Sequence, residues 1–218
     1  MSQLPIWFQA VKSVSAVQSG IDTLPMILGL VIFSIIAGGL VSAVGYYTPV
    51  MIVSSVLMAI GAGLLTTLHP DTSTGKWIGY QILFGAGVGL GLQQATIAVQ
   101  TVLHIDDVPT GTAAVIFAQT VGGALFVSVG NNVFTNQLLK GLARVAPEIN
   151  PRIILSVGAT SLKDHIPARL LAPVLVVYND ALTYCYRVSL AMACLTLIGS
   201  LGMEWKSVKG KKIVAAAA

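Results

Sequence analysis

The sequence predicts an all-α polytopic membrane protein with about five transmembrane helices and a partial helix at its N-terminus. Of its 218 residues, 55% are hydrophobic and only 9% are charged, whereas soluble domains carry about 25% charged residues. The mean hydropathy is +0.84. Uncharged apolar runs of about 20 residues, the length that crosses the bilayer core, recur along the chain. A lipid bilayer is therefore the expected surrounding.

Residues 1–138 are predicted to contain four of these helices. Residues 1–22 are expected to form the truncated end of an apolar helix and a polar link. Asp22 or Thr23 is expected to cap the next helix, with Pro25 in its first turn, where a missing N–H costs nothing. Turn-forming and charged segments separate the four helices within residues 23–138. Their approximate ranges are 23–44, 49–68, 77–103 and 111–138.

Residues 139–218 are predicted to contain a long connection and one more span. Prolines and charged residues in 139–180 indicate an extracytoplasmic connection, followed by a fifth transmembrane helix over 181–203 and a basic tail over 204–218. Because lysines favour the cytoplasmic side, the tail is placed there. Alternation then puts segments 43–48 and 104–109 in the cytoplasm, and the N-terminus and 69–76 outside. The lysines of the tail are Lys206, Lys209, Lys211 and Lys212.

Glycines and glutamines are concentrated in the third predicted span. Gly85 and Gly89 form one G-x-x-x-G pair, and Gly87 and Gly91 form another. A two-residue step turns a helix by about 200°, so the two pairs face nearly opposite sides and both sides can accept a neighbouring helix. A second set forms a row of small and polar residues at i, i+4 spacing. Its members are Gln81, Gly85, Gly89 and Gln93.

The fourth predicted span repeats this pattern. Gln119, Gly123 and Gly130 share one helical face with Phe126 beside them, and Gly122 is assigned to helix packing together with Gly87 and Gly91. Amides and an aromatic ring on a glycine-lined face suit a small amphipathic organic substrate. For both spans, the alternative is that the glycines and amides only hold helices together, without a ligand. The residues predicted to line the substrate path are Gln81, Gly85, Gly89, Gln93, Gln119, Gly123 and Phe126.

An enzyme is not expected. The histidines His69, His104 and His165 lie in predicted loops, and the sequence contains no H-E-x-x-H, G-x-S-x-G or Walker A pattern. Cys185 and Cys194 lie too far apart along one helix to form a disulfide, and they have no metal-ligand spacing. We therefore expect neither a metal nor a cofactor. The net charge of +4 reflects the C-terminal lysines and does not indicate nucleic acid.

Several stretches, taken in their order and spacing, resemble one branch of the major facilitator superfamily. They are LPIWFQAVK at 4–12, QSGIDTLP at 18–25, GLVSAVGYYTP at 39–49, GAGVGLGLQ at 85–93, QTVGGALF at 119–126 and NDALT at 179–183. Nearly the whole chain resembles the C-terminal portion of the fungal fourteen-span drug:proton antiporters. The resemblance implies a major facilitator fold and proton-driven efflux of a toxin, drug or secondary metabolite. It implies location in the plasma membrane, with the vacuolar membrane as the alternative.

The resemblance also implies an N-terminal half that this chain would lack. Substrate sites in such folds form between two halves that rock against each other. We therefore expect that the chain alone is not competent for transport and that its partners include the missing N-terminal half. The alternative is a non-transporting truncated membrane protein, or an interaction partner of a complete pump.

Overall fold

Eight α-helices make up the part of the chain that the computed structural model describes, which is residues 3–148 and 166–209. No β-strand occurs in these two ranges, which confirms the all-α prediction. The helices are α1 (Gln3–Ala10), α2 (Ala16–Asp22), α3 (Leu24–Val44), α4 (Thr48–Leu65), α5 (Thr74–Gly91), α6 (Gln94–Val102), α7 (Val108–Val145) and α8 (Ala168–Leu201).

Five segments of the described chain are long and apolar enough to cross a membrane. This agrees with the predicted number of spans. Two of them are built from consecutive helices, because α2 continues into α3 and α5 continues into α6. The segments are Ala16–Val44, Thr48–Leu65, Thr74–Val102, Val108–Val145 and Arg169–Leu201.

The third span is interrupted where the sequence predicts a continuous helix over 77–103. Helix α5 ends at Gly91 and α6 begins at Gln94. The hydroxyl of Ser54 in α4 donates a hydrogen bond to the carbonyl oxygen of Gly87 at 2.7 Å. Its oxygen also occupies the space that a Cβ at Gly91 would need. A side chain inserted against a helix backbone in this way is a known cause of kinks.

The stretch 139–180, predicted as a long connection with helical pieces, is helical at both ends. Helix α7 continues seven residues past the predicted end of the fourth span, because Leu138 and Leu142 are both 0% exposed in the main hydrophobic core. Helix α8 begins at Ala168, thirteen residues before the predicted start at 181, and Pro173 lies within it. Residues 149–165, in the middle of the predicted connection, lie outside the described residues.

Helix α5 contacts two neighbouring helices through its two glycine rows. A Cβ on Gly85 would overlap the carbonyl oxygen of Met26 in α3, and a Cβ on Gly89 would overlap that of Leu30. On the other side, a Cβ on Gly87 would overlap the backbone of Met58 in α4. Because lipid tails are as apolar as side chains, such close van der Waals contact holds membrane helices together.

Helix α1 is short, but most of its side chains are buried. Trp7 is 0% exposed, and its indole N–H donates a hydrogen bond of 2.7 Å to the amide oxygen of Asn179 in α8. The amide nitrogen of Asn179 donates in turn to the carbonyl oxygen of Leu68, at 3.1 Å. The ring of Phe8 lies between the rings of Trp7 and Trp77 in edge-to-face contacts with centroids 5.1 and 4.8 Å apart. These contacts join α1, α5, α8 and the chain after α4.

The segment after α8 packs on the turn between α3 and α4. The hydroxyl of Tyr47 donates to the carbonyl oxygen of Glu204 at 2.6 Å, and the amide of Val208 donates to the carbonyl of Gly45 at 2.9 Å. The Glu204 carboxylate lies 2.8 Å from the Lys206 amine, and this hydrogen bond raises the pKa of Lys206. Both segments thus lie at the same end of the bundle, although their assignment to the cytoplasm remains a prediction.

Candidate functional site

A cavity of about 670 Å³ lies among α4, α5, α7 and α8, with the first residue of α1 at its edge. Its volume falls within the range typical of small-molecule pockets. The lining residues are Gln3, Met58, Phe84, Val88, Gln119, Gly122, Gly123, Phe126, Val127, Gly130, Cys185, Val188, Ser189, Met192, Ala193 and Thr196.

The α7 wall of this cavity consists mainly of glycines that no neighbour covers. A Cβ built on Gly122, Gly123 or Gly130 would have no heavy atom within 4 Å. No residue in the most apolar part of α7 is buried, and Phe126 is 39% exposed. The cavity is therefore open along this helix.

The α8 wall carries short side chains with weakly polar groups. Cys185, Ser189, Ala193 and Thr196 follow one another at steps of three or four residues, so they share one face of the helix. The hydroxyl of Ser189 donates to the Cys185 carbonyl at 3.3 Å. Sequence reasoning missed this face because it followed glycines and amides. The regular spacing of small residues along α8 is the signal that identifies it.

Gln3 contributes the most buried amide of the cavity. Its side chain is 6% exposed, and its amide nitrogen donates to the side-chain oxygen of Asn131 at 2.9 Å. The amide oxygen of Gln3 has no hydrogen-bond partner among the described residues. A buried acceptor without a partner costs free energy, of the order of 1–3 kcal/mol. A bound molecule with a hydroxyl or N–H group would satisfy it.

The structure divides the predicted path residues into two groups. Gln119, Gly123 and Phe126 line the cavity together, and so does Gly122, which the sequence assigned to helix packing.

The residues of the third span that were predicted to line the substrate path do not line this cavity. Gly85 and Gly89 are covered by α3. The amide nitrogen of Gln81 donates to the backbone oxygen of Asp22 at 2.9 Å, which joins α5 to the end of α2. Gln93 lies in the interruption between α5 and α6, where its side chain is exposed. Gln94, which the sequence analysis passed over, is 0% exposed instead.

Among the residues that the structure describes, no acidic or basic side chain lines the cavity. Within residues 3–148 and 166–209, the structure also contains no group of three or more His, Cys, Asp or Glu side chains suited to hold a metal ion. The surface consists of aromatic, aliphatic and thioether groups with a few amides and hydroxyls. Such a surface binds an uncharged, largely apolar molecule through burial and one or two hydrogen bonds.

The fold and this cavity define a multi-pass membrane protein with a small-molecule cavity, and comparison with known proteins gives its family. No family model matches the chain. It is 60% identical over 215 residues to the MFS-type efflux pump MFS1 of Trichophyton rubrum, covering 99% of this chain and 40% of that protein. It is 54% identical over 210 residues to the MFS-type transporter astH of Aspergillus oryzae, covering 96% and 37%.

A third relative carries a substrate in its name. The chain is 50% identical over 203 residues to the MFS acetylaranotin efflux transporter ataA of Aspergillus terreus, covering 93% of this chain and 45% of that protein. The chain therefore belongs to the major facilitator superfamily of membrane transporters. It spans about 40% of the length of the curated relatives it matches. Their names are those of transporters, in agreement with the expectation that this chain is not an enzyme.

Proposed function

We propose that this chain forms part of a proton-coupled efflux transporter that exports a toxin, drug or secondary metabolite. The observation that carries the proposal is the uncharged cavity of about 670 Å³ in a chain whose relatives are named as efflux pumps. Aromatic and methionine side chains adapt to apolar molecules of different shape. The free amide oxygen of Gln3 favours substrates that also carry a hydrogen-bond donor. The substrate class is thus a small, neutral, amphipathic organic compound.

Within this proposal, Gln119, Gly123 and Phe126 belong to the substrate path together with Gly122. Gln81, Gly85, Gly89 and Gln93 are no longer proposed for it, because helix packing and the helix interruption account for their positions. Proton coupling rests on the resemblance alone. Since no carboxylate of residues 3–148 and 166–209 lines the cavity, we assign proton coupling to groups outside it.

We further propose that the chain does not transport by itself. The apolar face of α7 is open to the surroundings, with Phe117 70% exposed, and alternating access requires a second bundle to move against. A bundle equivalent to the part of the relatives that this chain does not cover would supply it. The same open face supports the alternative, a non-transporting protein that associates with a complete pump. The plasma membrane is the proposed location, and the vacuolar membrane is the alternative.

Dye efflux in yeast cells that lack their own drug pumps tests the proposal. The chain is expressed alone and together with the N-terminal portion of the Trichophyton rubrum relative, and the cells are loaded with the neutral dye Nile red. We expect the chain alone to match empty vector and the pair to lower dye retention. A protonophore should abolish that gain. Proton-driven transport by the purified chain alone in liposomes would contradict the requirement for a second bundle.

A matched pair of variants tests the cavity in the same assay. Gly122→Leu places a branched side chain in the cavity, where nothing lies within 4 Å of the added Cβ, so the protein should fold but transport less. Gly79→Leu is the control, because Gly79 also has no neighbour within 4 Å and does not line the cavity. Equal efflux by the two variants would refute the assignment of the cavity to substrate.

A further inference from the structure

A second recess, of about 340 Å³, lies between the last part of α7 and the first part of α8. It shares no lining residue with the larger cavity. In contrast to that cavity, it contains charged side chains of both signs. Its lining residues are Gln137, Lys140, Gly141, Arg144, Val177, Asp180, Ala181 and Tyr184.

The close approach of α7 and α8 positions the charges of this recess. The two helices are antiparallel, because Cys185 lies beside Gly130 while Val177 lies beside Gly141. At the second contact a Cβ on Gly141 would overlap the side chain of Val177. The glycine therefore brings the helix axes together at this level.

Each helix then presents a pair of residues at i, i+4 spacing to the recess, where they lie on one face. Lys140 and Arg144 form the α7 pair, and Asp180 and Tyr184 form the α8 pair.

The charges of the recess are not neutralised by one another. All ion pairs within 4.0 Å in the described residues involve other groups, so Asp180 makes no salt bridge with Lys140 or Arg144. Two cations thus face one carboxylate across an open space. A ligand with one negative and one positive group matches this arrangement better than a simple anion, which Asp180 would repel.

The recess lies at the level expected for lipid headgroups. Helix α7 has 38 residues and is therefore about 57 Å long at 1.5 Å per residue. This exceeds the bilayer core of about 30 Å, so its charged end extends into the interface. The guanidinium of Arg187 lies 4.7 Å from the centre of the Tyr184 ring. Tyrosine is one of the residues enriched at this interface.

We propose that the recess binds the headgroup of a phospholipid that carries a phosphate and a primary ammonium, as phosphatidylethanolamine does. Lys140 and Arg144 bind the phosphate, because lysine and arginine donate charge-assisted hydrogen bonds to phosphate oxygens. Asp180 accepts a hydrogen bond from the ammonium. A quaternary ammonium has no N–H to donate, so a choline headgroup loses this contact. A glycerol headgroup supplies no positive charge for the carboxylate.

Native mass spectrometry of the purified full chain with phosphatidylethanolamine, phosphatidylcholine and phosphatidylglycerol tests the proposal. The wild-type chain should retain phosphatidylethanolamine at least tenfold more than either of the other lipids. Lys140→Gln combined with Arg144→Gln should remove this retention. Asp180→Asn should shift the preference towards phosphatidylglycerol, which a purely structural role of Asp180 would not do.

Lys76→Gln is the matched control, since Lys76 is exposed near the same end of the bundle and does not line the recess. It should retain lipid as the wild type does. Equal retention of the three lipids by the wild type, or unchanged retention by the double variant, would overturn the proposal. Displacement of the lipid by soluble glycerophosphoethanolamine would show that the site takes a free headgroup, which would overturn the lipid assignment. Persistence of the bound lipid would support it.

Discussion

Replacing Gly85 by alanine should separate α3 from α5. The added Cβ would overlap the carbonyl oxygen of Met26 and would lie 3.1 Å from the amide of Leu30. Both atoms belong to the backbone of a neighbouring helix, so no side-chain rotation can make room. Helix α5 is already fixed on its other side by α4 through Gly87. The strain must therefore be relieved by moving α3 itself.

The size of the effect follows from this geometry. A carbon atom normally lies about 3.3 Å or more from a carbonyl oxygen, so the two helices must separate by about 1 Å. A radial gap of 0.5–1 Å forfeits about a quarter to a half of each dispersion contact across the interface. Overpacking of this kind typically costs about 1–3 kcal/mol. For a chain of this size, a loss of about 2 kcal/mol corresponds to a decrease in Tm of about 4–8 °C.

Thermal unfolding of the purified chain in detergent, followed by tryptophan fluorescence, measures this decrease. Trp7 and Trp77 are 0% and 8% exposed, so their emission reports loss of packing. Gly38→Ala in α3 is the control, because a Cβ there would have nothing within 4 Å. It should leave Tm unchanged or raise it slightly, since alanine favours helix over glycine. Equal Tm values for the two variants would refute the conclusion that Gly85 is a contact point between helices.

Two further predictions concern hydrogen bonds between distant parts of the chain. Trp7→Phe removes the 2.7 Å hydrogen bond to the side-chain amide of Asn179 and should lower the free energy of unfolding by about 1–3 kcal/mol. The measurement is the Tm of a tagged protein, obtained by size-exclusion chromatography after heating. Trp205→Phe is the control and should have little effect, because Trp205 is 62% exposed. Tyr47→Phe removes the donor to the Glu204 carbonyl and should speed tryptic cleavage of the lysine-containing tail. Tyr46→Phe is its control, and equal cleavage rates would contradict an anchoring role for Tyr47.

Local sequence signals did not lead to the α8 face of the cavity, and they predicted the length of α7 only in part. Leu138 and Leu142 lie four residues apart and are buried together against α8, so a helical pattern was present in the sequence. Lys140 lies between these leucines and Arg144 follows them, and both are exposed. These charged residues suggested a connection instead of a helix. Charged residues end a transmembrane helix in the bilayer core but not at the interface, where they remain hydrated. Pro173 also suggested a connection, but α8 continues through it.

The row of small and polar residues in the third span was ambiguous for a different reason. Glycine on a membrane helix allows either close approach of another helix or an open path, and the sequence pattern of the two is the same. Gly85 and Gly122 show both outcomes in one chain, since α3 covers the first and nothing covers the second among the described residues. Only the position of the neighbouring helices distinguishes them.

Composition and hydropathy were sufficient to predict a membrane protein of about five spans, and the order of the motifs was sufficient for the resemblance to the major facilitator superfamily. Hydropathy is a local property and the bilayer has a nearly constant thickness, so each span can be recognised without knowledge of the others. The packing of the helices determines which glycines are contacts and which line a cavity. The interruption at Leu92 and Gln93 and the position of Lys140, Arg144 and Asp180 in one recess also come from this packing. These features depend on contacts between helices far apart in the chain, and helix periodicity alone does not specify which helix lies opposite which.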